Sequence, residues 1–196
     1  MATSRENKTI SMFKSALVGG GARPNLFEVE LTTLPAGITW SADNFRYMCK
    51  AAALPAQNIA AIDIPFRGRI FKVAGDRTID TWTVTVINDE GFTLRNAFEE
   101  WTEQIAKLDT NLGATDPAEY MVNAKVFQLG RGSSKSSKDS SGAENVVLKA
   151  YEFIDIFPTT VSNIDLSYDT GDSIEEFTVE FQVQSLKLTG AGSPNG

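Results

Sequence analysis

Hydrophobic and polar positions alternate most regularly at 82–86, where Trp82, Val84 and Val86 share one face and Thr83 and Thr85 the other. A period of two in aromatic and β-branched residues describes a strand with one buried side. The pattern recurs near the end of the chain, with Phe177, Val179, Phe181 and Val183 set against Thr178, Glu180, Gln182 and Gln184. It recurs again over 25–34, with Phe27, Val29 and Leu31 inward and Leu26, Glu28 and Glu30 on the other face. In one place the period changes. Leu94, Phe98, Trp101, Ile105 and Leu108 follow at spacings of four, three, four and three, which predicts an amphipathic helix over 91–108. Asn96, Glu99, Glu100, Glu103 and Lys107 fall opposite, so this helix should lie on a sheet with an acidic face outward. Asn88 and Asp89 offer its N-cap.

The intervening segments are less regular. A loop at 35–44 is expected to join the 25–34 strand to a returning strand over 45–54, with Cys49 buried in phase with Phe45, Tyr47 and Ala51. Residues 54–75 hold Ile59, Ile62, Ile64, Phe66, Ile70 and Phe71, bracketed by Pro55 and Pro65. The stretch is basic: Arg67, Arg69, Lys72 and Arg77 face only Asp63 and Asp76. It reads as a β-hairpin on the core or an arm reaching a partner. At 73–78 a turn is expected, because Gly75 tolerates positive φ and Asp76 can bond nearby amides. Strands over 119–129 and 144–157 should flank a Ser/Lys/Gly loop at 130–143, followed by a turn at 158–163. Residues 169–176 resemble a fragment of a calcium loop but lack its spacing, and a hairpin turn is the simpler reading. The first 21 residues read as a polar arm with a glycine joint, and 189–196 as a disordered tail. The sum is a mainly β single domain of seven or eight antiparallel strands, a sandwich or partly open barrel with one packed α-helix.

Composition narrows the function. The 196 residues include no histidine, which removes Ser-His and Cys-His catalysis and His-ligated zinc. One cysteine excludes an intramolecular disulfide framework. No apolar run approaches the ~20 residues that span a bilayer, and the polar N-terminus has no signal-peptide core, so folding in a cytoplasm and no membrane anchor are expected. Gly-Ser-Ser-Lys at 132–135 lacks P-loop spacing. No catalytic pair and no cofactor or metal motif emerges, and an enzyme is not expected. The net charge of −7 is uneven: the first 98 residues carry 11 Lys/Arg against 9 Asp/Glu, and the remainder 7 against 16. Such halves can be self-complementary in head-to-tail contacts.

Three blocks, ARPNLFEVEL at 22–31, CKAAALP at 49–55 and FKVAGDRTIDTWTVTVINDE at 71–90, resemble the tail-tube proteins of contractile-tailed bacteriophages. They occur in that family's order, and the resemblance covers 22–188. It implies a structural virion protein whose subunits form hexameric rings, stacked into a hollow conduit for DNA ejection inside a contractile sheath. It further implies strands given to a hexameric inner β-barrel. If each of six subunits gave about four strands, roughly 24 strands at ~4.8 Å and ~40° tilt would make a barrel ~48 Å across. That leaves room for a duplex. The implied partners are copies of itself, the tail sheath protein, baseplate and tail terminator proteins and a tape-measure protein in the lumen, with DNA only in transit. The family's attachment loop falls on 54–76, so Pro55, Pro65, Arg67, Arg69 and Arg77 are expected to serve ring stacking, with 169–176 of the next ring as a candidate acidic counterpart. Glu99, Glu100 and Glu103 are expected to face the sheath. The loops at 35–44 and 130–143 look longer than the family's. Two alternatives stand beside this reading. One is the tube subunit of a related contractile injection or type VI secretion machine, and the other a free carbohydrate-binding or enzymatic β-sandwich.

Overall fold

The computed structural model describes residues 9–17, 21–40, 42–133, 145–169 and 171–189. Most of the expected arm (1–8 and 18–20), the loop at 134–144 and the tail at 190–196 lie outside them. In chain order the elements are α1 (Ile10–Ala16), β1 (Phe27–Leu31), α2 (Ala42–Met48), β2 (Cys49–Ala53), β3 (Gln57–Phe66), β4 (Arg69–Ile79), β5 (Trp82–Ile87), α3 (Thr93–Ile105), α4 (Pro117–Tyr120), β6 (Val122–Ser133), β7 (Asn145–Val161) and β8 (Glu176–Thr189). Six strands form one antiparallel sheet in the order β1-β6-β7-β8-β5-β2, and β3 with β4 forms a separate two-stranded sheet. The six-stranded sheet curls until its edges approach. Phe27 of β1 and Lys50, Ala51 and Ala52 of β2 line one groove, and Arg46 on α2 forms an ion pair with Glu28 on β1. The fold is mainly β, a nearly closed antiparallel barrel.

The alternating strands face inward as their pattern requires. Trp82 lies opposite Phe181, Val84 opposite Val179 and Val86 opposite Phe177, and all six are buried. Aromatic and β-branched residues paired across strands in this way hold register, because a slip of one residue would turn every one of them to water. The Trp82 ring also stacks near Phe153, centroids 4.7 Å apart. Over this surface α3 lays Leu94, Ala97, Phe98 and Trp101. Phe98 is the hub, with ring centroids 4.8 Å from Trp40, 6.0 Å from Phe45 and 6.0 Å from Phe181. The Trp101 indole N–H donates to the Tyr120 carbonyl at 2.9 Å, so its one polar atom is satisfied.

Several local expectations are corrected. The segment expected to return as a strand over 45–54 begins as α2, and only Cys49–Ala53 is extended. Nor do the two strands form a hairpin: β1 pairs with β6, and β2 with β5. The helix carries Phe45 inward, where it stacks with Trp40 at 5.7 Å, and leaves Tyr47 exposed. Cys49 is buried as expected, but as the first residue of β2 and not by alternation with Tyr47. The amphipathic helix ends at Ile105, and Leu108 is 88% exposed beyond it. At its start Phe92 occupies the N-cap with φ of 53° and no side-chain cap bond, while the Asp89 carboxylate accepts from the Thr93 N–H at 3.0 Å and its hydroxyl at 2.8 Å. Asn88 turns inward instead.

The turn expected at 73–78 is absent, because β4 runs straight through it. The reversal falls at Arg67 and Gly68, with φ of 47° and 80°, a two-residue hairpin turn of the kind that matches strand twist. Gly75 is needed for space instead of positive φ: a Cβ there would meet Ile62 Cγ1 at 3.0 Å and the Ala60 carbonyl oxygen at 3.1 Å. The turn expected at 158–163 is likewise replaced by strand through Val161. Pro158 is tolerated because β6 pairs with β7 only as far as Ile156, leaving that side of β7 open, and a bulge separates Pro158 from Thr160 on the β8 side.

Candidate assembly surfaces

The first surface is the β3–β4 hairpin. Every residue of β3 is exposed, and across most of its length β4 is too. The cross-strand pairs Ile62–Val73, Ile64–Phe71 and Phe66–Arg69 share one face, while Asp63–Lys72 belongs to the other and makes an ion pair of 2.6 Å. This is a two-faced ribbon whose apolar side covers nothing among the described residues. Isolated two-stranded hairpins are marginal in water, so such a side calls for a partner. At the tip the Arg67 guanidinium lies 5.4 Å from the centre of the Phe66 ring. Pro65 lies within β3, beside the tip, and Pro55 in the link before β3. At the base the Asp80 N–H donates to the Ala56 carbonyl at 3.0 Å, and Asn58 Nδ2 donates to Asp80 at 2.9 Å. Arg77 sits opposite Ile59 in the basal half, so Arg67 and Arg69 are together at the tip and Arg77 is apart from them.

The second surface is the outer face of α3. Glu99, Glu100 and Glu103 are all exposed, and with Lys107, Ala36, Gly37 and Ile38 they line a shallow depression. Lys107 is not their sole counter-charge. Arg95, half-buried beneath Glu99, donates to it at 2.6 Å and to the Ser162 carbonyl at 2.5 Å, with its guanidinium over the Phe177 ring. The periodicity argument placed Arg95 on neither face and missed this pair. An Arg four residues before a Glu on a helix was the available signal.

A third surface is the outward face of β5 and β8, where Thr83 lies opposite Glu180 and Thr85 opposite Thr178. The fourth is the loop between β7 and β8. It stands at the far end of β5, where Ile87 pairs with Glu176 and the Asn88 N–H donates to the Glu175 carbonyl. Among the described residues no group of three or more acidic or Cys side chains is placed to hold a metal ion. Burial raises the Cys49 thiol to about 12, against a weaker opposing effect from its bond to the Ala51 carbonyl.

A nearly closed barrel carrying a separate, exposed amphipathic hairpin has the construction of an assembly subunit. The phage tail tube protein family matches residues 22–188, and the chain belongs to that family. It is 37% identical to the tail tube protein gp19 of Enterobacteria phage T4 over 161 residues, which is 82% of this chain and 88% of that one. The gp19 of Enterobacteria phage T6 matches with the same identity and coverage. In three dimensions it resembles a chain of the extended sheath–tube complex of an extracellular contractile injection system, PVC. The TM-score is 0.58 at 12% identity, covering 94% of this chain and all of that one. The fold is thus shared with a chain of that complex, while the sequence relationship runs to phage tail tube proteins. This chain is a tail tube protein of a contractile-tailed phage, a component of the virion.

Proposed function

We propose that the chain forms hexameric rings that stack head to tail, making the conduit through which DNA leaves the virion. The observation that carries this reading is the β3–β4 hairpin, a ribbon with an uncovered apolar face on an otherwise well-packed barrel. Residues 22–188 act as the tube domain, with 1–21 as an arm and 189–196 as a tail. The hairpin is the ring-to-ring element: Pro55 and Pro65 stiffen it, and Arg67, Arg69 and Arg77 supply charge. The chain acts as a scaffold and performs no catalysis. Glu99, Glu100 and Glu103 meet basic residues of the tail sheath protein, since a tube that must be gripped and then released suits many weak charge pairs better than one large apolar contact.

The baseplate and terminator proteins cap the two ends, and a tape-measure protein fills the lumen before DNA does. Thr83, Thr85, Thr178, Glu180 and Gln182 present an uncharged or acidic face, and Lys50 at its end is paired with Glu176, which suits a wall that DNA must pass without being held. Negative-stain microscopy and native mass spectrometry of the concentrated protein test the assembly. Hexamers and tubes are expected, and monomer alone at every concentration and salt would overturn it.

A further inference from the structure

We infer that the cleft in the loop joining β7 to β8 is the receptor for the β3–β4 tip of a second copy of this chain. The inference rests on the reading of the hairpin as the ring-stacking arm and names what that arm grips. The cleft has a volume of about 660 Å³ and is walled by 163–168 and 173–176. Ile164 packs on the core, but three other side chains of the cleft face water: Leu166 is 80% exposed, Ile174 72%, and Tyr168 fully. The segment 163–176 holds five carboxylates and no Lys or Arg. Two of its carboxylates are engaged within the barrel, Glu176 by Lys50 at 2.5 Å and Glu175 by Asn88 at 3.0 Å. Asp165 accepts from Asn163 at 2.8 Å. Asp169 and Asp172 meet no cation among the described residues.

The hairpin tip is the chemical complement. Phe66, Ile70 and Phe71 are each more than 60% exposed, and Arg67 and Arg69 meet no carboxylate among the described residues, Lys72 having already taken Asp63. Two free cations beside exposed rings thus match two free carboxylates beside an exposed apolar cleft. Seating Phe66 and Phe71 would hide apolar surface of about 150–250 Å² for each ring.

Topology decides between the possible arrangements. β4 runs into β5 through only Asp80 and Thr81, so the hairpin leaves the barrel at the Trp82 end of β5. The cleft stands at the other end, beside Ile87 and Asn88. Six strand residues separate the two by roughly 20 Å, and Phe66 and Ile174 both stay exposed in the single chain, so the tip does not seat in its own cleft. A two-fold dimer joining tip to tip would set Arg67 and Arg69 against their own copies. Tip into cleft in one direction leaves each new copy with one free tip and one free cleft and therefore propagates along an axis, whereas a reciprocal two-fold pair would close at a dimer and give no tubes.

Charge exchange tests this under conditions where the unchanged chain polymerises. Arg67→Glu with Arg69→Glu, and separately Asp169→Lys with Asp172→Lys, should each abolish tubes in negative stain while circular dichroism stays unchanged. All four changes in one chain should restore them. Tubes of normal length from the hairpin pair would overturn the stacking reading and this inference with it. Tubes from the cleft pair alone would overturn only the inference, and so would a folded four-fold variant that fails to assemble. A second measurement does not depend on tube formation. Phe66→Cys mixed with Ile174→Cys at high concentration should give, under mild oxidation, disulfide-linked dimers at least about tenfold above either variant alone. No excess would overturn the contact.

Discussion

The side-chain amide of Asn88 donates to the Glu175 carboxylate at 3.0 Å, while its backbone N–H donates to the Glu175 carbonyl at 2.9 Å. Asn88 is the one polar residue buried among the described ones, and it anchors the loop between β7 and β8 to the end of β5. Replacing it with Ala leaves the carboxylate without its donor. Asn88→Ala should cost about 1–3 kcal/mol of stability, and Asn88→Asp more, because two carboxylates then meet at one site. Denaturant unfolding measures this. A midpoint unchanged in Asn88→Ala would show that the bond contributes nothing to holding the loop.

Trp101 joins α3 to the barrel and, through its indole N–H, to the Tyr120 carbonyl at the end of α4. Trp101→Phe keeps much of the ring packing and loses the hydrogen bond, with an expected cost of about 0.5–1.5 kcal/mol. Trp101→Ala also opens a cavity beside Phe98 and Phe181, with an expected cost of about 3–5 kcal/mol. Thermal unfolding should rank the variants in that order. Equal losses would place the contribution in the hydrogen bond alone.

Burial disfavours the Cys49 thiolate and raises its pKa from 9.0 to about 12. A folded pKa above the unfolded one means that the folded chain holds its proton longer. The associated stability is therefore fully present below about pH 9 and is lost as pH rises toward 12. Alkylation at pH 9 should be slow in the folded protein and fast in guanidinium. Equal rates would mean that the thiol is open to solvent.

On α3, Arg95 already neutralises Glu99, so Glu100 and Glu103 carry most of the uncompensated charge of that face. Exposed pairs contribute only about 0.2–1 kcal/mol each, so a single substitution should do little to sheath binding. Changing Glu99, Glu100 and Glu103 together to Lys should leave bare tubes able to form and stop sheath assembling around them. Extended sheath of normal length on the triple variant would show that the face is merely solvated.

The strands at 82–86 and 177–183 and the helix carrying Leu94, Phe98 and Trp101 were determined by the sequence itself. Each has one face wholly inside the barrel, and a two-sided environment writes itself as a period of two or of three to four. The same holds for the exposed acidic face of α3. Where no element has a single buried side, periodicity fails. Phe45, Tyr47 and Cys49 alternate like a strand, yet Phe45 reaches the Trp40 and Phe98 rings from a short helix.

Likewise Gly75 and Asp76 have turn chemistry but lie within β4, since pairing with β3 along its length outweighs a local preference. Pairing across the chain also escaped local reading. β1 finds β6 about a hundred residues later, because the barrel must shield Val29 and Leu31 and only a distant strand reaches them. The basic hairpin and the acidic loop were each visible as composition. That they stand at opposite ends of β5 follows only from the packed barrel, because direction in space arises from strand pairing and not from order along the chain.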